Sequence, residues 1–351
     1  MSGDLSDLWT WFADTQCRRY SPLYERVCRE VAGSEEVLDM VGSAPPEAHL
    51  PTVLLAAVHY LILSGLEHPL ADVYAGNSDL DSGPLFVDVC LTHSRVIREL
   101  LETRHTNTNE VGRSALLGPA LTEVATRMGR PLGLVDVGCS AGLNLLCDRY
   151  LLDYGSAGTT GPPDAQVRLN CDVTGGSPPI ADRLPPIAAR FGLDRDPVDL
   201  KDDDAVRWQL ACVWPDTGRL ARTRASLGLA RDAGLHIIRG DAVDALPGLL
   251  ATLPQECVPV VVTTWALAYL RPDRRAEFVQ ALQDASARRP IAWISGEGEG
   301  VVSVLGEVSA PTDDLGIEAS VLGLVIFDGS DSDATVLGFV HPHERSLEWR
   351  L

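Results

Sequence analysis

Apolar positions in the first 128 residues recur at three- and four-residue spacing, the period of an α-helix that buries one face. Leu54, Leu55, Val58, Leu61 and Ile62 share one such face, and Val89, Val96, Ile97 and Leu100 share another. Residues 76–84 (GNSDLDSGP) read as a loop, and Pro119 begins or kinks a further helix striped by Leu121, Val124, Ala125 and Met128. From Leu132 the texture changes to short apolar runs, several closed by glycine or an acid: LGLVDVG, ARFGLD, HIIRGD, VPVVVTTW, IAWISGE, LGLVIFD and TVLGFV. Helical patterns at 142–154, 217–233 and 272–288 separate several of them. Strands alternating with helices predict an α/β fold with a mostly parallel, doubly wound sheet covered on both faces. The last two runs, joined by GSDSDA, predict a C-terminal antiparallel hairpin at the sheet edge. The expected organisation is a helical region over 1–128 and a Rossmann-like domain over 129–351. A Gly/Pro-rich stretch at 155–186, holding VRLNCDV, reads as an insertion, and 296–316 as a long loop.

The 351 residues carry 29 Lys+Arg against 49 Asp+Glu, a formal charge of −20. That balance argues against nucleic acid or an anionic membrane as a partner, since both need clustered basic residues. With 45% apolar and 22% charged residues the chain can bury a sizeable core. The longest apolar run, 50–65, contains Pro51, His59 and Ser64 and falls short of the ~20 residues of a membrane span. A buried helix is expected there, with His59 as a core residue. The N-terminus MSGDLSDLWTWFADTQC lacks a basic stretch followed by an apolar one, so no signal peptide is read and a cytoplasmic location is expected. Eight cysteines, at 17, 28, 90, 139, 147, 171, 212 and 257, include no C-x-x-C pair and read as reduced, buried thiols. His341-Pro-His343 lacks a third ligand type nearby and reads as structural, so no metal is expected.

Candidate chemistry concentrates where the first strand ends, in Leu134-Val-Asp-Val-Gly-Cys-Ser-Ala-Gly-Leu-Asn144. Asp136-x-Gly138 turns through small residues to Gly142 and opens the expected helix. Glycine lets backbone approach a ligand closely, and free N–H groups at a helix start favour an electron-rich group. Two further runs end in carboxylates: Asp194, followed by a turn at Pro197, and Asp241, followed by Ala242. An acid after the second strand of a dinucleotide-type fold accepts hydrogen bonds from ribose hydroxyls. Asp194 is preferred to Asp172 for that task, because VRLNCDV suits an exposed inserted hairpin. The same segment also satisfies G-x-S-x-G, the nucleophile elbow of serine hydrolases, with Ser140 as nucleophile and His341 or His343 following in chain order. Against a hydrolase stand the mostly helical residues that precede the elbow and the lack of an H-G-G-G segment.

From Val135 onward, the three acidic strand ends resemble those of class I S-adenosylmethionine-dependent methyltransferases. The resemblance implies a nucleoside-binding loop at Asp136, Gly138, Ser140, Gly142 and Asn144, a ribose-holding Asp194, and Asp241 with Ala242 beside the adenine amine. Over nearly its full length the chain is similar to the bacterial family called domain of unknown function 2332, itself grouped with that fold. The motifs are Ser21-Pro-Leu-Tyr24, His68-Pro-Leu-Ala71, Thr108-Asn-Glu-Val-Gly-Arg113 and Val137-Gly-Cys-Ser-Ala-Gly-Leu-Asn144. They continue in Gly192-Leu-Asp-Arg-Asp-Pro-Val-Asp199, Val213-Trp-Pro215, Gly240-Asp-Ala242, Thr264-Trp-Ala-Leu-Ala-Tyr-Leu270 and His341-Pro-His343. One departure is local: the family pattern has Val-Gln before Thr-Asn-Glu, where this chain has His105-Thr106-Asn107.

In such folds Asn109, Glu110 and Arg113, upstream of the first strand, come to the rim of the cofactor site. Glu110 would act as a base or bind an amine, and Arg113 would hold a carboxylate; the alternative is a helix-surface ion pair. Trp265, directly after VPVVV, would face the transferred methyl with a ring that attracts a sulfonium cation, unless it is an ordinary buried tryptophan. His105 is an acid/base candidate because its ordinary pKa lies near neutrality. The implied function is binding of S-adenosylmethionine and methyl transfer to a small molecule, as in secondary metabolism. A non-methylating displacement such as ring closure, a non-catalytic partner subunit, or the serine hydrolase are the alternatives. A homo- or hetero-oligomer is compatible with each.

Overall fold

The structure, a computed structural model, describes residues 2–18, 20–106, 109–312, 318–341 and 346–351. Asn107, Thr108 and His343 therefore lie outside the described residues. The chain divides into two units, Met1–Thr108 with Val198–Arg224, and Asn109–Pro197 with Ala225–Leu351. The division thus lies at 108/109 rather than 128/129, and residues 198–224 belong with the helices.

The first unit contains helices α1 (Ser2–Phe12), α2 (Pro22–Ala32), α3 (Glu35–Gly42), α4 (Pro51–Leu63), α5 (Pro69–Tyr74), α6 (Ser82–Thr92) and α7 (Ser94–Thr103). After α8 (Arg113–Met128) and several of the strands described below, α9 (Asp203–Ala211) also belongs to it. Proline opens α2, α4 and α5, where its missing N–H costs nothing. Ser21 caps α2, its Oγ accepting from Tyr24 N at 3.1 Å and donating to Asp216 Oδ1 at 2.6 Å, while Asp216 Oδ2 accepts from Leu23 N. His68 Nδ1 accepts from Leu70 N at the start of α5. Trp214 packs against Phe12, Tyr20 and Tyr24. His59 is buried on α4, its Nδ1 3.1 Å from the carbonyl of Ala211 and its ring edge-on to Tyr74.

The second unit is built on a nine-stranded sheet ordered β5-β12-β11-β10-β9-β8-β1-β6-β7. Its strands are β1 (Leu132–Val137), β5 (Asp172–Gly175), β6 (Ile187–Asp194), β7 (Ile237–Arg239), β8 (Val258–Thr264), β9 (Ile291–Glu297), β10 (Ser320–Asp328), β11 (Asp331–Val340) and β12 (Ser346–Trp349). The stretch from β7 to β9 is parallel throughout, and the seven apolar runs read from the sequence are all strands. Helices α10 (Arg219–Ala233), α11 (Leu246–Thr252) and α12 (Pro272–Ser286) lie between strands in the chain, the division of units falling within α10. None of the described helices is long and apolar enough to cross a membrane.

Three expectations change. The β10–β11 hairpin forms, with Asp328 opposite Asp331, but it is not the sheet edge, because β12 pairs with β11 and β5 pairs with β12. VRLNCDV is not an exposed hairpin: Arg168–Asn170 (β4) joins a separate three-stranded sheet with β2 (Leu151–Asp153) and β3 (Thr159–Thr160), while Asp172 starts edge strand β5. Residues 142–154 do not form an α-helix but a 3-10 segment, Leu143–Arg149, followed by β2. There Tyr150 Oη donates to Leu143 O and Arg190 to Leu145 O, so side chains take carbonyls that an α-helix would use internally. A similar exchange lets Pro119 sit inside α8. Lacking an N–H, it leaves the carbonyl of Ala115, four residues back, without a helical donor, and Tyr154 Oη donates to it at 2.8 Å.

Burial pushes the pKa of His59 down to about 4. The unfolded chain binds a proton near 6.5 and the folded one does not, so stability is lost as pH falls from 6.5 towards 4, by about 3 kcal/mol. Urea unfolding of His59→Phe, compared at pH 7 and pH 4, should show a smaller loss than the wild type. Equal losses would mean that His59 carries no such linkage.

Candidate functional site

The order of the parallel strands reverses at β1: the chain continues to β6 and β7 on one side, then returns to β8 and β9 on the other. Ligands of open α/β sheets bind beyond the carboxyl ends of strands at such a point. The turn leaving β1 has Gly138 at φ +78°, Ser140 at +52° and Gly142 at +73°. A Cβ on Gly138 would stand 2.6 Å from that of Ala266, so the β1 and β8 loops meet closely only because residue 138 is glycine. Among the described residues, Ser140 and Trp265 are the two non-glycines at positive φ, one after each strand bordering the reversal. Such conformations cost about 1–3 kcal/mol each and cluster at functional sites.

Around these turns several polar side chains are buried. Asp136, next to last in β1, is 3% exposed, and its Oδ2 has no hydrogen-bond partner. Arg113, at the start of α8, donates to the carbonyl of Thr264 at 2.9 Å and lies 4.9 Å from the centre of the Trp265 ring, over its face. Glu297 closes β9 fully buried; its Oε1 accepts from Ala266 N at 2.9 Å and Leu267 N at 3.0 Å, while Oε2 has no partner. Burial pushes the Asp136 pKa up to about 7, the charge of Arg113 opposing and that of Asp194 reinforcing the shift. Burial also raises Glu297, against the pull of the N–H groups of Leu267, Ala266 and Ala268 and of Arg113.

The sequence candidates distribute as follows. Asp194 ends β6 beside the turn, Oδ2 accepting from Ser140 N at 2.7 Å and Oδ1 from Asp196 N at 2.8 Å. Asn109 donates to the carbonyl of Cys139 at 3.4 Å, and Asn144 accepts from Ser114 Oγ at 2.8 Å. Glu110, Asn109 and Arg113 are all buried, which replaces the reading of a surface ion pair; Glu110 Oε1 accepts from Gly112 N. Asp241 ends β7's loop in a turn of its own, accepting from Val243 N and Asp244 N and pairing with Arg274, next to half-buried Ala242. Partial burial pushes its carboxyl up, but those donors outweigh it and hold the pKa below the usual range. Asp172 stands on the opposite edge strand of the sheet. His105 belongs to the first unit, exposed, its carbonyl accepting from Trp208 Nε1. Trp265 is half-buried, its Nε1 donating to Ser320 Oγ, and one face is already taken by the chain's own cation.

Glu297 was not among the candidates. The signal was present, since IAWISGE ends in an acid as ARFGLD and HIIRGD do, but Glu297 adjoins Gly-Glu-Gly and reads there as loop. A groove of about 470 Å³ between α11 and α12 includes Pro259 near the amino end of β8 and so belongs to the other end of the sheet.

A family model described as "uncharacterized protein conserved in bacteria (DUF2332)" matches residues 6–349. The chain belongs to this family. No curated protein matches it, and no solved structure does. Of the DUF2332-like motifs quoted above, Ser21–Tyr24, His68–Ala71 and Val213–Pro215 build caps and packing in the first unit. Those at 109–113, 137–144, 192–199, 240–242 and 264–270 supply the turns and buried side chains of the sheet's carboxyl edge.

The Asp136 shift has a sign that can be checked. The folded state keeps its proton up to about pH 7 and the unfolded chain loses it near 3.8, so this group's contribution to stability falls as pH rises through that window, by about 4 kcal/mol. The infrared carbonyl band of protonated carboxyls should be present at pH 5, fade as pH passes about 7, and be weaker in Asp136→Asn. An unchanged band in the variant would overturn the assignment.

Proposed function

We propose that the second unit binds S-adenosylmethionine at the carboxyl edge of its sheet and transfers the methyl group to a small molecule, in the manner of class I methyltransferases. The observation that carries this reading is the carboxylate of Asp194, one strand from the glycine turn and bonded to its Ser140 N–H, at the point where the strand order reverses. A turn stripped of side chains at Gly138 and Gly142, and an orphaned carboxylate oxygen on Asp136, fit an adenosyl group. Asp241 fits less well, because its turn and Arg274 already use its Oδ1. When bound, S-adenosylmethionine supplies a methyl carbon on a positively charged sulfur. The chain would bind the ribose through the remaining lone pairs of Asp194 and let the nucleoside approach the 138–142 backbone. Arg113 and Trp265 would border the reacting end, and most of the rate would come from alignment.

Asp194→Asn should weaken binding of S-adenosylhomocysteine, measured by calorimetry, by at least about tenfold, ~1.4 kcal/mol. Asp172→Asn, on the far edge strand, should leave it unchanged. No binding by the wild type, or equal affinities in the two variants, would sink the reading.

One observation favours the hydrolase instead: Ser140 has the left-handed backbone of a nucleophile elbow. Three others oppose it. Ser140 is 1% exposed, no α-helix follows the turn, and His341 follows β11, four strands from β1, roughly 19 Å at ~4.8 Å per strand. A fluorophosphonate probe should therefore leave Ser140 unlabelled; stoichiometric labelling would reverse the order of the two readings.

A further inference from the structure

The loop after β8 is tied down by three charged side chains. Arg113 donates to the carbonyl of Thr264, Trp265 N donates to Gly296 O at 2.8 Å, and Glu297 Oε1 accepts from Ala266 N and Leu267 N. Arg275, on α12, takes carbonyls instead: Nε donates to Leu267 O at 3.0 Å and Leu270 O at 2.9 Å, and Nη2 to Ala268 O at 3.0 Å. A non-glycine residue at positive φ persists only when its surroundings over-determine it. Trp265, at φ +50°, has that support on either side, and Glu297 supplies the part that follows it. The next residue, Ala266, lies against the glycine turn, its Cβ 2.6 Å from where a Cβ on Gly138 would stand. A fully buried acid is a costly way to hold two N–H groups. It is also a rigid one, since strand β9 carries it and a single oxygen accepts from both.

We infer that Glu297 is a positioning residue: through the Ala266 methyl group it sets the gap between the β8 loop and the glycine turn at Gly138, and with it the fit of a bound ligand. The inference rests on the adenosyl reading for the identity of that ligand alone. Glu297 itself touches no ligand in this scheme. Its Oε1 orients the backbone, the backbone places Ala266, and Ala266 closes one side of the turn. Arg275 secures 267–270 beyond that contact, so loss of Glu297 frees the stretch that meets Gly138 and leaves the rest anchored.

Glu297→Met removes the acceptor at similar length, and Glu297→Gln restores it through the amide oxygen. By hydrogen exchange, amides of 264–267 and of 138–142 should both exchange at least about threefold faster in Glu297→Met, with β10 unchanged and Glu297→Gln within about twofold of the wild type. By calorimetry, S-adenosylhomocysteine should bind Glu297→Met at least about tenfold more weakly, and Glu297→Gln within about threefold of the wild type. Four outcomes would overturn the inference and leave the adenosyl reading standing: faster exchange confined to 264–267, uniformly faster exchange, wild-type affinity in Glu297→Met, or a Glu297→Gln variant no better than Glu297→Met. If the wild type bound no S-adenosylhomocysteine, the adenosyl reading would fall, and exchange alone would decide the inference. Should Glu297→Met fail to fold, Ala266→Gly keeps both hydrogen bonds and deletes the methyl group. Exchange at 138–142 should still rise at least about threefold in that variant, and an unchanged rate would overturn the inference.

Discussion

Arg113 is buried at the carboxyl edge of the sheet, where its charge is felt by both Asp136 and Glu297, and the layout of that edge depends on where it is held. Its position is fixed by the carbonyl of Thr264 and by the face of Trp265. Removing one partner from a buried charge set costs several kcal/mol, because the charges left behind stay desolvated. α8 must therefore begin where it does, with Arg113 at its first turn. The rest of that helix is then committed to a proline at position 119, and the orphaned Ala115 carbonyl is met by Tyr154 from the inserted segment. Gly118 has no Cβ where that tyrosine hydroxyl arrives. The insertion is thus tied to α8, and α8 to the site.

The strands were legible because a buried parallel strand leaves a short apolar run, and nothing else in the chain imitates VPVVVTT or IAWISGE. What followed them was less so. The run Leu143–Cys147 is buried on every side, so it shows no amphipathic period to distinguish an α-helix from a 3-10 turn. The outcome is set by Tyr150 and Arg190, whose bonds to its carbonyls are tertiary facts. Likewise, Glu110 and Arg113 three residues apart look the same whether they face water or a core. Burial of that pair depends on the packing of α8, which spacing does not encode.

Motifs that identify the DUF2332 family turn out to serve two purposes. Ser21-Pro22 and His68-Pro69 are helix starts: a side-chain acceptor for the first N–H groups, then a residue with no N–H to satisfy. Asn109–Arg113, the glycine turn and Thr264–Leu270 are costly instead, with polar side chains buried and two non-glycine residues held at positive φ. Stability alone would not favour that combination, since apolar replacement of buried ion pairs is often neutral or stabilising. The energetic contrast separates framework motifs from functional candidates without reference to any relative.

The acidic strand ends show why a carboxylate in that position is ambiguous when read from sequence. Each of Asp194, Asp241 and Glu297 accepts from the backbone N–H groups of a loop at the sheet's carboxyl edge, which is the work of a turn former. A carboxylate has two oxygens and about four acceptor sites, so this work does not exhaust it. The three differ in what is left. Asp241 adds Arg274 and lies half-exposed, where water can satisfy the remainder. Asp194 engages both oxygens but keeps a lone pair on each beside the glycine turn. Glu297 keeps a whole oxygen, buried beyond the reach of solvent. Turn former and ligand holder are therefore not rival descriptions of these residues. The loop N–H groups orient the carboxylate, and an oriented carboxylate with acceptor capacity to spare is what a ligand meets.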